Sequence, residues 1–95
     1  MSETAEFIRL IDKALLIAKD VRANAKSKEI KWMYDNSEIA VSQFSNIREQ
    51  VSSGTLPLSN GAGLGITRAL SEWAPKELCE AGKDIEGFFM KKWKK

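Results

Sequence analysis

The acidic residues best spaced for chemistry are Glu77, Glu80 and Asp84, which are separated by three and four positions. On a helix this spacing aligns three carboxylates along one side, as in helical enzymes that bind Mg²⁺, usually from two helices. The sequence offers no facing set apart from Glu3 and Glu6 near its start. The pattern favours a solvated helix face, so the sequence predicts no metal and no cofactor. A Mg²⁺-dependent hydrolase remains as a third hypothesis.

Nucleophilic chemistry has one candidate, because Cys79 is the single cysteine. Its thiol would need a neighbouring cation or a helix start to become reactive. The chain has no histidine, which removes the commonest general base and the commonest metal ligand together. We therefore assign no catalytic residue and predict a protein that is not an enzyme. A lone cysteine also forms no internal disulfide and fits a reducing compartment.

A glycine-rich segment over 52–65 is the clearest loop in the sequence. Its glycines precede a helix, where free backbone N–H groups can hold an anion. The segment lacks both the Lys-Ser/Thr ending of a P-loop and the preceding strand of a dinucleotide site. It is interpreted either as a connector or as a loop that contacts a partner. The contact residues would be Asn60, Gly61 and Gly63.

The C-terminal segment 88–95 mixes aromatic residues with lysines. Such a segment suits an anionic membrane surface, an acidic protein or a nucleic acid. In the alternative interpretation, Phe89 and Trp93 complete the core and the lysines complement a helix C-terminus. The partner-binding candidates in this basic tail are Lys91, Lys92, Trp93, Lys94 and Lys95.

Trp32, Tyr34 and Ile39 fall outside the main apolar repeat of their segment. They either widen the core or form an exposed patch of the kind that anchors protein partners. We keep both interpretations and name Trp32 and Tyr34 as further candidates for partner binding.

Four helical segments position these residues, and no strand pattern is found. Apolar residues recur every three or four positions throughout. The predicted fold is all-α, a compact antiparallel bundle of about four helices in a single domain over 1–95. The predicted helices cover about 3–24, 28–52, 64–73 and 75–93.

Two boundaries within this bundle depend on weak local signals. The first turn is expected around Ala25–Ser27, with continuation of the first helix through Lys26–Tyr34 as the alternative. The second segment carries a heptad seam with one polar member, Ser37, and either continues or breaks at Asp35, which can act as an N-cap with Glu38. Gly82 and Gly87 are expected to permit close approach of a neighbouring helix, or one of them ends the last helix early.

Charge and hydropathy indicate the compartment and limit the partners. Four of the fifteen cationic residues lie in the last eight positions, so the body is mildly acidic and the tail is basic. This charge distribution disfavours a uniform nucleic-acid-binding surface. The N-terminal residues do not form a secretory signal, and no apolar run approaches the about 20 residues that span a bilayer. The sequence predicts a cytoplasmic protein.

Four short strings lie in the middle of the chain: Asp35-Asn36-Ser37-Glu38, Asn46-Ile47-Arg48, Leu56-Pro57-Leu58 and Ile66-Thr67-Arg68-Ala69-Leu70. With these strings, the layout resembles the small cytosolic bacteriocin immunity proteins, which protect producers of pediocin-like and lactococcin-like peptides. The glycine-rich stretch and Pro75 depart from that pattern. The resemblance implies an antiparallel four-helix bundle whose C-terminal half carries partner specificity.

Taken together, the sequence favours a non-enzymatic helical protein that binds and neutralises or regulates another protein. An immunity or inhibitor protein is the most concrete version, and its partner would be a toxin, a bacteriocin receptor or a regulated enzyme. The alternative is peripheral binding of an anionic membrane or nucleic acid through the basic tail, with nucleic acid the less favoured of the two.

Overall fold

The computed structural model describes residues 3–57 and 64–93, which form an elongated bundle measuring 44 × 21 × 19 Å. Within these ranges there are helices and turns but no strand. The predicted all-α antiparallel bundle is confirmed. The helices are α1 (Glu3–Ser27), α2 (Lys31–Ser53), α3 (Ile66–Ser71) and α4 (Lys76–Lys92).

A long hairpin of α1 and α2 forms the frame of the molecule. The turn between them lies at 28–30 rather than at Ala25–Ser27, because α1 continues for three residues beyond the predicted end. Glu29 adopts a left-handed backbone with φ of 58° and so reverses the chain without a glycine. In the half of the hairpin away from its turn, the Arg48 Nε–H donates to Asp12 Oδ1 at 2.6 Å. This hydrogen bond and the charge of Asp12 raise the pKa of Arg48.

The second segment is one helix, so the break considered at Asp35 is wrong. Ser37, Ala40, Phe44 and Val51 are buried along a continuous seam, and this packing against α1 outweighs the local capping signal. The one polar member of the seam is satisfied, because the Ser37 hydroxyl donates to the Tyr34 carbonyl at 2.9 Å. At its C-terminus α2 ends at Gly54, whose φ of 74° suits a residue without a side chain.

Helix α4 returns antiparallel to α1 and closes the core. Phe7 near the start of α1 meets Phe88 and Trp93 at the end of α4, with ring centroids 4.9 and 5.2 Å apart. The buried core draws apolar residues from all four helices and from Leu56. Its members are Phe7, Ile11, Ala14, Leu15, Ala18, Ala40, Phe44, Val51, Leu56, Ile66, Leu70, Leu78, Ala81, Ile85, Phe88 and Phe89.

The short helix α3 is held on α4 by one glycine and one carboxylate. Gly82 is buried, and a Cβ at this position would meet the side chains of Leu70 and Ile66. The expected close helix approach at Gly82 is therefore confirmed. Glu86 Oε1 accepts a hydrogen bond from the backbone N–H of Ile66 at 2.8 Å. Since α3 has no side-chain cap of its own, Glu86 on α4 takes that role.

Replacing Glu86 with alanine should cost about 1 kcal/mol of stability, the usual effect of losing an N-cap. The loss should be concentrated in α3, because the Ile66 N–H would have no acceptor from the protein. Hydrogen exchange checks this: the Ile66 amide should exchange faster, while amides in the middle of α1 keep their protection. Glu86→Gln should recover part of that protection because its amide oxygen can still accept. Unchanged exchange at Ile66 in Glu86→Ala would contradict the capping role.

Candidate protein-binding surface

One face of α2 is exposed and carries no charge. Its residues follow helical steps of four and three, which place them on one side of the helix. Trp32 and Ile39 are each 56% exposed, although they are large apolar side chains. We call this face the α2 stripe, and its residues are Trp32, Asn36, Ile39, Gln43 and Asn46.

The α2 stripe from Asn36 to Asn46 forms one wall of a groove, and α3 forms the other; Trp32 is not among the lining residues. The two helices stay far enough apart to leave two adjoining depressions, of about 190 and 290 Å³. Gln43 and Ala69 line both depressions and so connect them. From Asn36 to Ile47 the groove extends about 16 Å along α2, at 1.5 Å per residue. We call this feature the α2–α3 groove.

The groove is lined by apolar side chains and by side-chain amides. Half-buried Trp73 and exposed Ala69 supply the apolar surface on the α3 side. The side-chain amides of Asn36, Gln43 and Asn46 line the α2 side. Among the residues that line the two depressions, Glu72 is the single charged one. The surface thus combines apolar contact area with amide groups that can donate and accept hydrogen bonds, and Glu72 adds one negative charge.

The structure separates the predicted binding residues. Trp32 and Tyr34 are two positions apart on a helix, so they point to opposite sides of α2. Trp32 and Ile39 are exposed, which excludes the wider-core interpretation for these two residues, whereas Tyr34 is half-buried. Trp93 lies beside Phe7, near the other end of the α1–α2 hairpin. The candidates therefore do not form one site.

The basic tail divides into core aromatics and exposed lysines. The Trp93 indole N–H donates to the Leu56 carbonyl at 3.2 Å, and its ring packs edge-on against Phe7. Trp93 therefore packs at the edge of the core, as the alternative interpretation expects, and its assignment to partner binding stays a prediction. Lys91 and Lys92 are exposed.

Several other predicted contacts lie outside the described residues. These are Lys94 and Lys95 of the basic tail and Asn60, Gly61 and Gly63 of the glycine-rich loop.

The candidate residues for chemistry show no catalytic arrangement. Glu77, Glu80 and Asp84 are exposed, and no group of three potential ligands in residues 3–57 and 64–93 is placed to hold a metal ion. The Cys79 thiol is half-buried and lies 3.5 Å from the carbonyls of Leu70 and Ala74. The described geometry thus gives the hydrolase hypothesis no support.

Sequence reasoning missed the amides of the α2 stripe and the α3 wall of the groove. A signal for the stripe was present, because an uncharged face over fifteen positions stands out in a chain with 29% charged residues. The α3 wall had no such signal, since it depends on where Gly82 and Glu86 place α3.

Comparison with protein-family models, with curated proteins and with solved structures returns no match for this chain. The resemblance to bacteriocin immunity proteins therefore remains a prediction from short motifs, and function must be argued from the surface itself.

Proposed function

We propose that this protein is a non-enzymatic binding protein that acts in the cytoplasm and takes up an apolar helical segment of a partner protein in the α2–α3 groove. The single observation that carries the proposal is the exposure of Ile39, a large apolar side chain, in the uncharged α2 wall of the groove. Large apolar side chains cost free energy when they are left in water, and aromatic anchors dominate many protein interfaces. The absence of histidine from the sequence favours binding over catalysis.

The dimensions and charge of the groove favour an amphipathic helix as its occupant. A length of about 16 Å corresponds to three helical turns, and helices bind apolar grooves through residues spaced by three and four. Because Glu72 is the one charged lining residue, the docking face should be apolar, with a cationic residue opposite Glu72. Asn36, Gln43 and Asn46 would bond to polar groups at the edge of that face.

Neutralisation of a bacteriocin or toxin is the most concrete form of this proposal, and inhibition of a regulated enzyme is its general form. Both need a protein that covers a functional segment of its target without reacting with it. The short-motif resemblance to immunity proteins favours the first form. The identity of the bound protein decides between a toxin, a receptor and an enzyme.

Site-specific photocrosslinking in the cells that naturally make this protein tests the proposal. A benzophenone amino acid at Ile39 should give one predominant protein adduct, because Ile39 lies in the groove. The same group at Leu16 is the matched control, since Leu16 is an exposed apolar residue at 65% on α1. Mass spectrometry of the adduct then identifies the partner.

The second arm of the experiment alters the groove. Gln43→Lys places a charge at the residue shared by both depressions and should suppress the Ile39 adduct at least tenfold by desolvation of the ammonium group. Equal adduct yields from Ile39 and Leu16, or an Ile39 adduct that persists in Gln43→Lys, would rule out the groove as the binding site.

A further inference from the structure

The end of the α1–α2 hairpin projects beyond the rest of the bundle. Helix α1 has 25 residues and α4 has 17, which correspond to about 37 and about 25 Å. The C-terminal end of α4 packs beside Phe7, near the start of α1. Because α4 is shorter than α1, its N-terminal end does not reach the hairpin turn. No apolar side chain between positions 22 and 39 belongs to the core cluster or packs against it. We call residues 22–34 the hairpin tip.

The hairpin tip is strongly basic although the body of the chain is mildly acidic. Between positions 22 and 32 there are four cations and the carboxylate of Glu29, a net charge of +3. Two acids flank this range directly: Asp20 lies two residues before Arg22, and Asp35 lies one helical turn after Lys31, so the positive charge is concentrated at the turn itself. None of the four cations forms an ion pair in the described parts of the chain, where the two ion pairs are Arg48–Asp12 and Lys76–Glu80. The cations are Arg22, Lys26, Lys28 and Lys31.

An exposed tryptophan stands among these charges. Trp32 lies in the first turn of α2, directly after Lys31. Side chains on a helix incline toward its N-terminus, and the N-terminus of α2 is at the hairpin tip, so Trp32 leans outward. On the opposite side of α2, Tyr34 and Ile30 contribute to a shallow depression of about 210 Å³ that also includes Lys26, Lys31 and Glu29.

We propose that the hairpin tip docks on an anionic lipid surface. Tryptophan and tyrosine rings favour the interfacial layer of a bilayer, and each lysine near an anionic membrane adds about 1 kcal/mol of attraction. The tip combines both features at the end of a rigid projection, which can approach a flat surface without obstruction from α3 or α4. No helix in the described ranges is long and apolar enough to cross a bilayer, so this contact is peripheral.

The composition of the tip favours lipid over an acidic protein. Three of its four cations are lysines, which act as flexible point charges, whereas arginine is preferred for bidentate carboxylate pairs at protein interfaces. Lipid headgroups are mobile and can follow lysines that no neighbour holds in place. Trp32 belongs to both the α2 stripe and the hairpin tip, but it does not line the α2–α3 groove. Lipid docking at the tip therefore adds a location for the protein to the binding role proposed above.

Vesicle co-sedimentation of the full chain tests the proposal. The protein should bind vesicles rich in phosphatidylglycerol, and its binding should weaken with salt and be negligible on phosphatidylcholine alone. Combining Lys28→Ala with Lys31→Ala should lower the partition coefficient about 25-fold, from about fivefold per lysine. Combining Lys91→Ala with Lys92→Ala removes the same charge from the basic tail and should change it less than twofold.

Tryptophan emission gives a second measurement. Anionic vesicles should shift the emission to shorter wavelength, and Trp32→Phe should abolish the shift because Trp73 and Trp93 are half-buried elsewhere. If the tip and tail lysine pairs lowered the partition coefficient equally, the protein would bind by general charge attraction and the proposal would be overturned. Failure to bind anionic vesicles, with retention on polyglutamate that depends on Lys28 and Lys31, would replace lipid with an acidic protein partner. The photocrosslink at Ile39 is independent of both outcomes.

Discussion

Phe7→Ala should lower the free energy of unfolding by about 3–5 kcal/mol, the usual cost of removing a buried phenylalanine ring. Phe7 is fully buried and contacts the rings of Phe88 and Trp93. Through Trp93 this cluster also reaches the Leu56 carbonyl after the end of α2. One side chain therefore joins the start of α1, the end of α4 and the segment after α2. Urea denaturation followed by circular dichroism measures the loss.

The matched control is Leu16→Ala on the same helix. Leu16 is 65% exposed, so its truncation should change stability by less than about 0.5 kcal/mol. A domain of this size has a free energy of unfolding of about 5–15 kcal/mol, so the Phe7→Ala variant can be too unstable to fold. Phe7→Leu, with an expected loss of about 1–2 kcal/mol, keeps the test measurable in that case. Equal losses from Phe7→Leu and Leu16→Ala would show that the aromatic cluster is unimportant.

The regular part of this fold could be predicted from the sequence because it depends on periodicity. The seam residues Ser37, Phe44 and Val51 are seven apart, and burial of such a row against α1 requires one continuous helix. The same periodicity places Phe7, Ile11 and Ala18 inward on α1. Local boundary signals were less informative: Asp35 resembles an N-cap, yet the helix passes through it because the seam that follows, beginning at Ser37, is buried against α1.

The candidate site was predictable only in part, for a physical reason. Exposure of Trp32 and Ile39 depends on what covers α2, and the sequence does not state that α3 packs on α4 instead of closing over α2. That choice follows from a glycine contact and a carboxylate cap that join distant parts of the chain. Similarly, Trp93 lies among lysines in the sequence, but its indole ring packs against Phe7 and its N–H donates to the Leu56 carbonyl.

Alanine substitutions at the two glycines of α4 should have opposite effects. Gly87 has open space around its Cα, so Gly87→Ala should stabilise the protein by about 0.5–1 kcal/mol through helix propensity alone. Gly82→Ala gains the same propensity, but its new methyl group would overlap Leu70 and lie 3.1 Å from Ile66 Cγ2. Overpacking costs about 1–3 kcal/mol, so we expect a net loss of about 1–2 kcal/mol.

The sign at Gly82 depends on whether α3 can move. Leu70 and Ile66 are 3% and 5% exposed, so neither side chain has free space to rotate into. Relief requires displacement of α3, and the hydrogen bond from Ile66 to Glu86 opposes that displacement. The expected consequence is a weaker Glu86 cap, visible as faster hydrogen exchange at the Ile66 amide in Gly82→Ala and not in Gly87→Ala.

A double-mutant cycle isolates the contact. Leu70→Ala removes the methyl group that Gly82→Ala would strike, so the double variant should be no less stable than Leu70→Ala alone. Urea denaturation of the four proteins gives the coupling energy, which should offset most of the loss seen in Gly82→Ala. If Gly82→Ala instead stabilises the protein as much as Gly87→Ala does, α3 is not held closely on α4. The α2–α3 groove would then lack the fixed wall that its proposed binding role requires.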